Sequence, residues 1–291
     1  MLIESRPVKL TTRTGITVER TIPHAKLKTI GAWCFADHFG PTEQTDGMVV
    51  AAHPHTGLQT VTWLFEGQIE HRDSIGSVQL IEPGQLNLMT AGRGISHSEL
   101  SLATTKSLHA VQLWIALPKE AVDIAPAFEH QAQLPTARHQ GISAKVLIGE
   151  LLGQAAPTTS YSELVGAELR LDPGSSVLPL NSEFEHGLLL VEGDLRIAGE
   201  ELPATSLKYL PIGTGEIELE TQSGALVMLI GGVPLGEKIV MWWNFIGRSH
   251  EDVALAREQW NARDERFGSF EDRIGGWIPA PDLPNVKLSA R

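Results

Sequence analysis

Residues 49–99 read VVAAHPHTGLQTVTWLFEGQIEHRDSIGSVQLIEPGQLNLMTAGRGISHSE. The runs VVAAHPH, LQTVTWLFEG, GSVQLIEPG and GQLNLMTAG have strand length and a β-branched, aromatic composition. Glu-Gly and Pro-Gly pairs punctuate them as turns do. HAVQLWIAL, residues 109–117, extends the series, so residues 47–118 predict one dense set of short strands. Residues 1–46 read as an opening strand and loops.

Two residue pairs in this stretch carry chemistry. His53 and His55 are two apart, and so are His97 and Glu99. Residues i and i+2 of a strand point to the same face, so each pair aims two ligand atoms one way. If the two strands are neighbours in a barrel, four ligands converge. Three imidazoles and a carboxylate suit a borderline divalent ion such as iron, nickel, copper, cobalt or zinc. Four protein ligands leave two positions of an octahedron open, for water, dioxygen or a chelating substrate. Seven of the eleven histidines lie between His24 and His109, so they are concentrated around these pairs.

Outward from this stretch the pattern repeats. Residues 119–160 are more polar and read as a connector. KEAVDIAPAFEHQ shows no convincing helix, and LPTARHQGISAKVLIGEL enters the second half as a strand. Residues 161–235 then bring SELVGAELRL, GLLLVEGDLRI, LKYLPIGTG, EIELET and ALVMLIGG. TVTWLFEG ending at Gly67 matches GLLLVEG ending at Gly193, a weak internal repeat that suggests a duplicated β-barrel. In the C-terminal segment, Ser249 with Asp252 forms a variant capping box, and Val253, Ala256 and Trp260 give one apolar helix face. Gly268 is the expected stop, and GGWIPAPDLPNVKL is expected to be extended.

The composition agrees with a globular β protein. Hydrophobic residues make up 42% and charged residues 20%, enough for a sizeable core. Glycine at 28 and proline at 17 supply many turns, which disfavours a helical bundle. The net charge of −12, without a Lys/Arg-rich run, gives no footprint for direct nucleic-acid binding. One cysteine, Cys34, excludes a disulfide framework and a cysteine zinc cluster, and it reads as an apolar filler. No run approaches the roughly 20 apolar residues of a membrane span, and MLIESRPVKL has no signal-peptide core. The expectation is a cytoplasmic monomer.

These residues resemble a known family. Gly47, five residues, then His53-x-His55, a strand and Gly67 are similar to the first cupin motif. ADHFGP, HPHTG, TVTWLFEG, EHRDSIGS and TAGRGISHSE, within residues 36–99, resemble segments of pirin and its bacterial relatives. The resemblance implies an all-β bicupin: two antiparallel jelly-roll β-barrels packed together, with a short C-terminal helix. Residues 1–130 would form the metal-binding barrel, and 131–291 the second barrel, helix and tail. It implies one divalent ion, normally Fe(II), on His53, His55, His97 and Glu99. It also implies quercetin 2,3-dioxygenase activity on a flavonol-like aromatic that chelates through its 3-hydroxyl and 4-carbonyl, with Glu99 able to accept the proton. An alternative uses the same ligands: an iron- or redox-sensing regulatory protein that acts through protein partners.

The chain departs from the family pattern in places. Many members carry Arg-Gly-Phe-Glu after the second histidine, and here Thr56-Gly57-Leu58-Gln59 stands. Since Glu99 supplies the carboxylate in the pirin pattern, the metal is expected to survive and the pocket rim to lose a charge. MWWNFIGRSHEDV looks like a bacterial branch. Counting back from Gly193 as His53 and His55 stand back from Gly67 lands on Pro179 and Asn181, so the second barrel is expected to hold no metal. His186 nearby reads as a satisfied structural histidine. His71, Arg72 and Asp73 read either as an ion pair away from the metal or as support for a ligand histidine. Arg93 reads equally as an anion attractor or a solvated turn residue. Trp63, Trp114, Trp242, Trp243 and Met89 read as packing.

Overall fold

A computed structural model of the protein describes residues 1–10, 17–43, 48–102, 107–273 and 275–290. Gly47 of the first motif lies outside them. Contacts divide the chain into two compact units. One comprises Met1–Val8, Glu19–His38 and Gln131–Leu235; the other comprises Lys9–Val18, Phe39–His130 and Gly236–Arg291. The chain changes unit at 130/131. The chain also changes unit at 8/9, 18/19, 38/39 and 235/236.

The unit containing His53 has a four-stranded antiparallel sheet, in the order Val49–His55, Ile95–Ser101, Ile69–Asp73 and Val78–Ile81. A larger sheet carries Ala127–Gln131, Leu86–Thr90, Leu58–Glu66, Ser107–Ala116 and Trp33–Glu43 in that order. Ala127–Gln131 comes from the stretch read as a plain connector, so that connector is partly strand. Leu58–Glu66 is buried along most of its length because both its faces are covered.

The unit containing His186 repeats this plan. Leu207–Leu210, Glu185–Gly193, Ala225–Gly232, Leu164–Leu171 and Ile142–Ile148 lie in one antiparallel sheet. Gly174–Pro179, Glu216–Thr221, Arg196–Ile197 and Glu200–Glu201 form a smaller one. Leu169, Leu188, Leu190, Leu219, Val227 and Leu229 are buried in one core drawn from both sheets. With Leu2–Ile3 at the edge beyond Leu207–Leu210, Leu58–Glu66 and Glu185–Gly193, the strands of the sequence repeat, each stand third in their sheet. The architecture is thus the expected pair of jelly rolls, except that each is two open sheets rather than a closed barrel. Trp33 is fully buried, and its indole N–H reaches the carbonyls of Val165 and Gly231 at 3.2 and 3.0 Å, which ties residues 19–38 to this core.

The helix spans His250–Asn261. Ser249 caps it: its hydroxyl accepts from the Asp252 amide at 3.1 Å, and Asp252 accepts from the Ser249 amide at 2.9 Å. Val253, Ala256 and Trp260 are buried with Phe245 and Phe267. The α-helix ends at Ala262, and Gly268 instead closes a following 3-10 turn, Glu265–Phe267. Among the described residues no helix is long and apolar enough to cross a membrane. Replacing Ser249 with Ala should cost about 1 kcal/mol of stability, the usual value of an N-cap, read as a lower urea midpoint at unchanged m-value.

Candidate metal centre

The Ile95–Ser101 strand is the middle of the site. On one side it pairs with Val49–His55, so that His97 lies opposite His53 and Ile95 opposite His55. On the other it pairs with Ile69–Asp73, so that His97 lies opposite Asp73 and Glu99 opposite His71. An irregularity between His97 and Glu99 shifts the first register by one residue. Cross-strand neighbours of this kind stand about 5 Å apart, which is why side chains remote in sequence meet here.

His53, His55 and His97 converge. Their candidate ligand atoms all lie within 4.8 Å of one another, and all three rings are buried. Glu99 forms a second, overlapping group with His97 and His71. The four residues singled out from the sequence are therefore gathered in two groups that share His97, rather than in one. His71 belongs to the second group, and it comes from the His71-Arg72-Asp73 cluster that the sequence offered as support for a ligand histidine.

Hydrogen bonds direct the lone pairs of His97 and His53. Asp73 accepts from the amides of Ile75 and Ser77 at 3.0 and 2.9 Å. Burial alone would raise its pKa, but the hydrogen bonds from His71 and Ser77 outweigh this and hold it below the usual value. An ionised carboxylate only accepts, so His71 Nε2, 3.1 Å away, must donate to it. With His71 neutral, its Nδ1 is an acceptor, and His97 Nδ1, 3.3 Å away, donates to it. That leaves the lone pair of His97 on Nε2, 3.1 Å from Nε2 of His55. His53 Nδ1 donates to the Ala51 carbonyl at 2.9 Å, so its lone pair is likewise on Nε2.

Burial and the neighbouring rings hold His53, His55 and His97 neutral. His53 is lowered to about 4, and His55 and His97 fall well below the ordinary value, in each case mainly by desolvation. Burial raises Glu99, opposed by His71 and by the Thr62 hydroxyl. Neutral nitrogens brought this close suit a shared cation. Two ligands at about 2.1 Å from one ion and at right angles to each other stand about 3 Å apart, close to the separation of the His55 and His97 nitrogens. The residues therefore fit a divalent ion.

The surroundings keep the group dry and in place. Trp114 sets its edge against His55, with ring centroids 5.2 Å apart, and Phe128 stacks on His71 at 4.5 Å. Phe128 also packs on Met89, Ala91 and Ile95, so Met89 packs beside the site as expected. The C-terminal segment covers the opposite face of the ligand strands. Ser96 and Ser98, which flank His97, donate to the Phe267 carbonyl and to Asp272 at 2.9 and 3.0 Å. Ala52, beside His53, accepts from the Ile278 amide at 2.9 Å. Gly57 has φ +71°, and a Cβ there would lie 2.4 Å from the Ile246 carbonyl oxygen, which explains the glycine of HPHTG.

Other expectations change. Gln59 is fully buried and donates to Thr90 at 2.9 Å, so it is not at a rim. Alternation puts it on the opposite strand face from Thr62, the residue that reaches Glu99, so its difference from the family pattern leaves the ligand group untouched. Arg72 turns to Glu70 at 2.7 Å, while His71 and Asp73 serve the site. Arg93 is exposed. Trp63 and Trp114 are buried, and Trp242 and Trp243 pack against the cluster of Phe245 and Trp260. His186 is buried, yet its Nδ1 has no hydrogen-bond partner among the described residues, so it is not the satisfied histidine expected.

Residues 15–115 match the family model of pirin, and residues 166–268 match that of the pirin C-terminal cupin domain. With the two jelly rolls, these matches define a bicupin. The chain is 48% identical over 273 residues to a Pseudomonas aeruginosa protein provisionally named quercetin 2,3-dioxygenase, covering 93% of this chain and 87% of that one. It is 33% identical over 277 residues to a pirin-like protein of Caulobacter vibrioides, covering 91% and 94%. A solved structure of quercetin 2,3-dioxygenase from Acinetobacter baumannii superimposes with a TM-score of 0.95 at 42% identity, covering 99% of this chain and 97% of that one. The chain belongs to the pirin family.

The Asp73–His71–His97 series predicts a graded result. Asp73→Asn should weaken metal affinity by about 10- to 100-fold, as loss of a partner to a ligand histidine commonly does. Arg72→Gln should leave affinity within about twofold, because Arg72 points away. Competition with a chelating dye reads both.

Proposed function

We propose that the chain is a metal-dependent dioxygenase that cleaves the heterocyclic ring of a flavonol such as quercetin, with His53, His55, His97 and Glu99 holding one Fe(II) ion. The observation that carries this reading is the convergence of three buried, neutral imidazoles, two of them with lone pairs directed by hydrogen bonds, in a chain 42% identical to a quercetin 2,3-dioxygenase over nearly its whole length. When bound, the ion would supply Lewis acidity toward the vicinal hydroxyl and carbonyl oxygens of a flavonol, together with reactivity toward dioxygen.

The protein residues supply proton handling and orientation. Thr62 Oγ1 lies 3.3 Å from Glu99 Oε1 and 3.0 Å from Gln112 Oε1. One hydroxyl hydrogen cannot serve both acceptors fully. With Glu99 ionised, Thr62 donates to it. With Glu99 protonated, the carboxyl can donate to Thr62, which then donates to Gln112. In both states Glu99 keeps Thr62 as its partner, so it can take the proton of the substrate hydroxyl without losing that hydrogen bond. Trp114 and Phe128 exclude water from the imidazoles, which keeps the substrate oxygens in competition with few others.

Oxygen uptake with iron-loaded protein and quercetin, with product masses determined, tests the reading. Wild type should consume oxygen in step with flavonol loss. Glu99→Gln should lower kcat by about 100-fold or more, in the range of a lost general base. Thr62→Val should lower kcat by about tenfold while metal content per chain stays unchanged. No oxygen uptake by fully iron-loaded protein across several flavonols would sink the enzymatic reading.

A further inference from the structure

The candidate ligands are not covered equally. His55 and His97 are 2% and 1% exposed, whereas His53 and Glu99 are 7% and 9% exposed. A chelating molecule reaches this group from the side of His53 and Glu99, where the cover is thinnest. What stands beside Glu99 on that side therefore meets whatever part of the molecule lies beyond its chelating atoms.

That neighbour comes from the larger sheet. Thr62 and Gln112 lie directly opposite each other on Leu58–Glu66 and Ser107–Ala116, so their side chains share one sheet face. Trp114, two residues on from Gln112, shares that face and sets its edge against His55, so the face looks onto the ligand group. Thr62 and Trp114 are buried, and Gln112 is half-buried. Thr62 Oγ1 lies 3.3 Å from Glu99 Oε1 and 3.0 Å from Gln112 Oε1, so the Gln112 amide stands two hydrogen bonds away from the carboxylate.

The contact with Thr62 also orients the amide. With Oε1 turned to Thr62, the planar group turns Nε2 away from it. Among the described residues Nε2 is neither hydrogen-bonded nor closed off from solvent. It is thus an oriented donor, open to a ligand, at the edge of a buried group of imidazoles. Small-molecule sites fix orientation and selectivity with a few polar groups placed in this way among apolar walls.

We propose that Gln112 is a specificity-determining residue for the reaction inferred above, on which this inference rests. Its Nε2 donates a hydrogen bond to a ring oxygen of the flavonol other than the chelating hydroxyl and carbonyl. The residue thereby favours flavonols that carry further hydroxyls over those that carry the chelating pair alone.

Calorimetric titration of full-length, iron-loaded protein in the absence of dioxygen tests this. Quercetin is set against 3-hydroxyflavone, which keeps only the chelating pair. Without dioxygen there is no turnover, so the readout is binding alone, with wild type and variants loaded to the same iron content. Gln112→Met, which is close in volume and lacks the N–H, should weaken quercetin by about fivefold, the worth of one hydrogen bond, and leave 3-hydroxyflavone within about twofold. Equal losses for the two flavonols, or unchanged affinity for quercetin, would overturn the role of Gln112 and leave the flavonol reading standing. Absence of binding of either flavonol to wild type would overturn that reading and this inference with it. Should Gln112→Met fail to fold, Gln112→Asn, which withdraws the amide by one methylene, decides by the same comparison.

Discussion

Three unprotonated imidazoles cannot be held together in a dry interior unless something decides where each proton sits. In this protein the decision begins at Asp73, a carboxylate fixed by two backbone amides of its own turn. Its demand for a donor orients His71, which orients His97, which turns a lone pair toward His55. Remove that first acceptor and each ring in the series regains a choice of tautomer. The ligand strands, their registers and the aromatic walls all serve to keep this series short and water-free.

The alternation of strands explains why so much of this was visible in the sequence. A period of two is rigid: His53 with His55, and His97 with Glu99, cannot point to different faces while their strands stay regular. The turn signals marked where the strands ended, and the Ser249–Asp252 pair marked the helix start because capping is a local interaction. Less visible was what depends on pairing between strands. His71 reaches the site only because its strand lies beside that of His97, and no spacing within residues 69–73 reveals that neighbour. The irregularity between His97 and Glu99, which accompanies the division of the ligands into two groups, is likewise a property of two strands together.

Gln59 and His186 show a second limit. A motif position says which residue type other chains use, but not which way the side chain faces. Gln59 occupies the place of a familiar carboxylate, yet its strand turns it toward Thr90, so the substitution has no bearing on the ligands. His186 looked like ordinary packing because a lone buried histidine usually finds a partner. Whether it does depends on every atom within a few ångströms, and those come from strands distributed across the second unit.

The interleaving of the two units has a consequence for biosynthesis. The ligand strands occupy residues 49–101, but the segment that bonds to Ala52, Ser96 and Ser98 comes from residues 267–278. During translation the histidine-bearing sheet therefore emerges early and waits, with its outer surface uncovered, while more than half of the chain is still being made. The other unit is delayed too, since residues 19–38 must wait for Gln131–Leu235. Neither unit corresponds to a contiguous gene fragment, so truncation to a half-length chain would separate pieces of both. Covering of the strands that carry the candidate ligands is in this sense a late event, which waits for residues 267–278 rather than for the synthesis of those side chains themselves.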